Sequence, residues 1–210
     1  MRGRIPIPEF RLSPPMSSSG MTKQRENVEG PLAEVIRMDE ARRQLSARRG
    51  FQSWAQRYGE SFNDSTCLPN LSDSTLGSLI EAGEQTSLAI HDLVMGVKNL
   101  GKGAQFHSLD TSQKMAIMDI AIFLLDQLRF ECMRRLGWIS GFATMTIPMV
   151  DLISKFETGF AAAKNQTPEL SPAHPRYQDY LNEFDMDRGA FLRRLIPEAI
   201  ETFQQRLKSS

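Results

Sequence analysis

Few residues of this 210-residue chain have the types and spacing that chemistry requires. His91 and Asp92 are adjacent within a stretch of helical periodicity, where an imidazole and a carboxylate can share a metal ion or a proton. A metal centre needs more ligands than that pair supplies. Of the three histidines, His91, His107 and His174, none precedes His91. The pair therefore reads as a histidine beside a solvated aspartate. Glu81 and Glu84 share a helical face, but no Glu-x-x-His occurs to complete a carboxylate-bridged di-metal set. No metal and no cofactor are expected.

Asp119 and Asp126 are seven residues apart, about two helical turns, so they lie on one face of a helix. Asp119 stands among Met115, Met118, Ile120, Ile122 and Phe123. A carboxylate buried in such company must be paired, hydrogen-bonded or protonated. The expectation is a cross-helix partner: Lys155, an arginine or a hydroxyl. The sharper alternative is a polar pocket for a ligand, lined by Asp119, Asp126 and His91. A third is an exposed Asp119 in a dimer groove.

Arg37, Arg42, Arg43, Arg48 and Arg49 lie along one face of the first helical stretch and could meet phosphate or an acidic protein. Glu34, Asp39 and Glu40 are interleaved with them and dilute the field, so a solvated face is expected. Met115, Met118, Met133, Met145 and Met149 suit core filling, or a plastic interface as the alternative. Nucleophilic catalysis has no support. There is no Gly-x-Ser-x-Gly, no phosphate-binding glycine loop, and no histidine near Cys67 or Cys132.

The elements that would position these residues are helices. Residues 112–135 form a long segment without Pro or Gly, apolar nearly all round over 115–125 and more polar from Asp126 onward. This pattern predicts a helix whose first half sits at the centre of a bundle, its second half nearer solvent. Upstream, an apolar stripe runs from Leu32, Val35 and Ile36 through Leu45, Phe51, Trp54 and Tyr58 to Phe62, with Gly50 dividing or bending it. Ser72 or Asp73 caps a second helix that carries Leu76, Ile90, Leu93 and Val97 and ends before Gly101. Asp110, Thr111 or Ser112 caps the third. A fourth runs from Pro148 in its first turn to about Lys164, with Val150, Ile153, Phe156 and Phe160 inward. Residues 177–184 form a short helix. A last one spans 189–207, capped by Asp185 or Asp187 and kinked or interrupted at Pro197.

Residues 1–30, with Pro6, Pro8, Pro14 and Pro15 and a serine run, read as a disordered leader. Met16 and Met21 are alternative starts to Met1. The four prolines speak against an organelle transit peptide. With 25 Lys+Arg against 25 Asp+Glu, binding driven by net charge, such as nucleic-acid coating, is not expected. The longest apolar run, 115–125, is too short to cross a bilayer. Two cysteines make no disulfide framework and suit a reduced, cytoplasmic setting.

The fold expected is all-α, a mostly antiparallel helical bundle of five to six helices over residues 31–210. The function expected is that of a non-enzymatic interaction protein, adaptor, chaperone-like or regulatory, with a protein partner or a second copy of itself. It should carry an exposed apolar patch on its first or last helix. The alternatives are a small-ligand or metal-binding bundle with a pocket near Asp119, and nucleic-acid binding through the arginines of the first helix.

Overall fold

The computed structural model describes residues 38–183 and 187–209. The leader, residues 31–37 of the first stripe and Asp185 lie outside the described residues. The fold is all-α, and an isolated bridge between Ile139 and Leu170 is the one strand-like pairing among the described residues. The helices are α1 (Met38–Tyr58), α2 (Asp73–Ile80), α3 (Glu84–Lys98), α4 (Thr111–Arg135), α5 (Met149–Ser154), α6 (Phe156–Asn165), α7 (Tyr177–Asn182) and α8 (Arg188–Ser209).

These eight helices exceed the five or six expected because two predicted helices are each broken in two. The second breaks at Glu81, whose backbone turns extended (φ −62°, ψ 147°) two residues before Gly83. Glycine is costly inside a helix, but the single helix expected here runs on through Gly83. The fourth breaks at Lys155, non-helical at φ −111° and ψ 43°. Conversely, α1 runs unbroken through Gly50 and α8 through Pro197.

Several helix ends follow their sequence signals. Ser72 caps α2, its hydroxyl accepting from the Thr75 N–H at 3.0 Å. Asp110 caps α4 by accepting from the Gln113 N–H at 2.8 Å. Helix α3 ends earlier than its glycines suggested, at Asn99 in the left-handed region (φ 59°), which asparagine tolerates better than most residues.

The centre of the molecule is α3. It packs against α1, α2, α4 and α5, and residues 93–97 are buried consecutively, so no side of that turn meets water. The α1–α3 crossing is close. A methyl group at Gly96 would lie 2.8 Å from the Gly50 Cα and 2.7 Å from the Arg49 carbonyl, so only glycine fits there. Trp54 is sealed in the same contact, its indole N–H donating to the Ala89 carbonyl at 2.8 Å.

The expectation for α4 is therefore reversed. Its first half lies at the periphery, where Met115, Ala116, Met118, Asp119 and Ile122 are exposed. Its second half is the buried one, although it holds the polar residues. Gln127 and Glu131 keep 3% and 0% of their surface. Partners on a following turn and on the helix itself make this possible. The Thr144 hydroxyl donates to Gln127. Glu131 accepts from Arg134 (2.7 and 2.8 Å) and Arg135 (2.8 Å). Arg135 reaches on to Asp73 at 2.6 Å and the Leu71 carbonyl at 2.8 Å, so one buried carboxylate fixes the guanidinium that holds the start of α2. A buried charge is tolerated only when its remaining hydrogen-bonding positions are filled in this way.

Candidate interaction surface

Met115, Met118 and Ile122 are 57%, 44% and 57% exposed on the outer face of α4. The inner face of the same turns carries Ile117, Ile120 and Leu124, all buried. Apolar residues thus cover both faces, and one helix cannot bury both against a single layer of neighbours. Of the remaining large exposed apolar side chains, Phe160 at 47% belongs to the same surface. Met38 and Leu45 stand apart on α1, and Leu181 on α7. The patch is expected on the first or last helix; among the described residues the exposed apolar side chains gather mainly on α4.

Two hollows flank this ridge and meet at Ile122. On one side α3 and the 3-10 turn Gly103–Ser108 form a hollow of about 230 Å³, in which the His91 ring stacks on Phe106 at 4.7 Å. Its walls are almost wholly apolar: Ile90, Met118, Ala121 and Leu125 complete it. Burial pushes the His91 imidazole below its ordinary value, partly countered by Asp92, so the ring tends toward the neutral form. Asp92 does not face the hollow. Its two oxygens accept from the Gly103 N–H and the Ser53 hydroxyl, both at 2.7 Å, and so tie the 3-10 turn to α3 and α1.

On the other side α4, α6 and the start of α8 enclose a cleft of about 930 Å³. Phe123, Phe156 and Phe160 form its aromatic wall, with ring centroids 5.5 to 5.9 Å apart. Gly159 lets α6 approach: a methyl group there would lie 3.7 Å from the Phe123 ring and 3.1 Å from Leu152. Gln127 and Phe130 also line the cleft, and Asp119, Asp126 and Arg193 add charge. Asp126 bonds Arg193 at 3.2 Å and pairs with Arg129 at 3.7 Å.

The structure thus brings Asp119 and Asp126 to one cleft and leaves His91 across the ridge in the other hollow. Asp119 is exposed and has no ion pair among the described residues, so the expected cross-helix cation is not its partner. Among the described residues no group of three or more His, Cys, Asp or Glu is placed to hold a metal ion. Of the arginines, Arg42 and Arg48 are exposed. Arg43 donates to the Asp64 carbonyl at 2.9 Å and pairs with Asp151 at 3.5 Å; Arg49 donates to the Ser46 hydroxyl at 3.3 Å. Cys132 is buried, and that burial pushes its thiol up to about 12.

Phe106 and Phe160 were not expected at a surface site. Phe106 lies in the connection between the expected second and third helices, where an aromatic residue among small and polar ones is the available signal. Phe160 kept core spacing with Val150, Ile153 and Phe156, and the break at Lys155 is what turns it outward.

No protein-family model, no curated protein and no solved structure matches this chain. No helix among the described residues is long and apolar enough to cross a membrane.

Proposed function

We propose that this chain is a non-enzymatic interaction protein that docks a protein partner over the outer face of α4. The observation that carries this reading is the run Met115, Met118 and Ile122, more than 40% exposed at three successive positions on one face of the longest helix. Contiguous exposed apolar surface on a folded subunit is characteristic of interaction sites. The methionines suit the role, since an unbranched thioether side chain repacks readily against a partner. Two groups with catalytic potential are otherwise engaged: Asp92 holds a turn, and the Cys132 thiol is buried with a raised pKa. The two free thiols support a reducing compartment such as the cytoplasm.

The test compares the full chain with a Met118→Glu, Ile122→Glu variant in affinity capture under native conditions. Proteins retained by the parent and lost by the variant, with helical content unchanged by circular dichroism, support the reading. Identical captured sets reject it.

A second reading is favoured by one observation. The cleft of about 930 Å³ combines three phenyl rings with the buried Gln127 amide, a composition typical of small-molecule pockets. An apolar aromatic ligand there would raise the melting temperature of the parent and not of Phe123→Ala. A panel of aromatic fragments that leaves the parent unmoved removes this reading.

A further inference from the structure

We propose that the partner of α4 is α4 of a second copy of this chain, the two helices running parallel about a two-fold axis. This rests on the reading that the outer face of α4 is a docking surface. Three observations lead from that surface to that occupant.

The first is spacing. Met115, Met118, Ile122 and Leu125 follow one another at steps of three, four and three. This is the seam of a left-handed helix pair, in which alternate residues occupy the a and d positions. It is distinct from the stripe of Ile117, Ile120 and Leu124 that faces the core. The helix is already held in shape by its own subunit, so pairing it requires no new folding and little ordering entropy.

The second is charge. With Met115 at a, Lys114 falls at g and Asp119 at e. In a parallel pair each g residue faces the e residue five positions later on the other helix. Lys114 therefore meets Asp119 of the second copy, twice by symmetry. Neither residue has an ion pair within the subunit among the described residues. An antiparallel pair would instead set e against e, bringing the Asp119 and Asp126 flank against its own copy, and juxtaposed like charges disfavour association.

The third is shape. Phe160 projects on the e flank, beside Phe123, and the apolar hollow of His91 and Phe106 opens on the g flank at the level of Met118 to Leu125. A parallel two-fold axis apposes each e flank to the other copy's g flank, so each Phe160 faces a hollow. The antiparallel alternative would face Phe160 with Phe160. These flanks also widen the contact beyond a two-heptad seam toward the roughly 800 Å² per partner of a stable interface.

The test is sedimentation velocity on the full chain over a concentration series, joined to cysteine crosslinking. A reversible dimer is expected. Ile122→Glu should make it monomeric with unchanged circular dichroism. Lys114→Glu should weaken it roughly tenfold, and adding Asp119→Lys should restore it. Met118→Cys should form a disulfide with its own copy under mild oxidation, because d residues meet across a parallel axis. The parent, with Cys67 half-buried and Cys132 buried, is the control and should not crosslink. A chain that is monomeric at every concentration overturns the proposal, as does a dimer indifferent to Ile122→Glu. The docking reading falls separately, only if Ile122→Glu also leaves every heterologous partner bound. A dimer in which Met118→Cys fails to crosslink, while Met115→Cys crosslinks to Leu125→Cys, overturns the parallel arrangement.

Discussion

Residues 111–125 of α4 place Met115, Met118 and Ile122 in water, whereas residues 126–135 of the same helix bury Gln127 and Glu131. The apolar half is peripheral and the more polar half is central. Burial here follows the supply of neighbours rather than side-chain polarity. The second half is surrounded by α2, α8 and the turn around Thr144, which bring Asp73 and Thr144 within hydrogen-bonding distance of Arg135 and Gln127. The first half has α3 on one flank and α6 on the other, and none of the described residues lies over the ridge. Polar residues enter a core when each polar atom finds a partner there, and apolar ones stay outside where no neighbour covers them.

Breaking the polar half should cost most. Glu131→Ala leaves two guanidiniums without their buried carboxylate and loosens the Arg135 tie to α2, so it should lower unfolding free energy by about 3–5 kcal/mol. Urea unfolding followed by circular dichroism measures this. Next come two isoleucines of one turn, compared at dilutions that keep the chain monomeric. Ile120→Ala removes a buried side chain and should cost about 2–4 kcal/mol, while Ile122→Ala should stay within about 0.5 kcal/mol. Equal costs would mean that the ridge is covered within the subunit. Asp110→Ala removes the α4 cap and should cost about 1 kcal/mol, with faster amide exchange confined to the first turn of the exposed half.

The smallest effect expected is one of pH. Burial holds the His91 imidazole below its ordinary value, so the folded chain resists a proton that the unfolded chain accepts. The stability involved is fully present above the ordinary histidine value of 6.5 and is lost as pH falls through the depressed one. Asp92 favours protonation of the ring and His107 opposes it, and His174 carries a similar burial-driven shift. His91→Phe keeps a ring against Phe106 and should show a smaller drop in melting temperature between about pH 7.5 and about pH 5. An unchanged drop would assign the acid sensitivity in this window to His174. Glu60 acts only at lower pH: burial raises its carboxyl, but hydrogen bonds from Ser72 and Thr75 outweigh it, so its contribution is present above the ordinary value of 4.5 and lost below it.

Much of the local structure was readable because its causes are local. Ser72 and Asp110 announce helix starts by offering an oxygen to an N–H three residues on. Trp54 and Phe51 keep core spacing and are core. The candidate site was only partly readable. Asp119 and Asp126 do share a cleft, as a seven-residue spacing on a helix requires. The separation of His91 from them depends on which side of α4 receives α3, and no local pattern carries that.

From the chain alone followed the helical class, several helix ends and the two-sided apolar character of residues 115–125. Tertiary structure decided which of those two sides faces water, why Glu131 is buried and where Phe160 points. The physical reason is that periodicity records how much apolar surface a helix must cover, whereas the elements that cover it arrive from positions far along the chain.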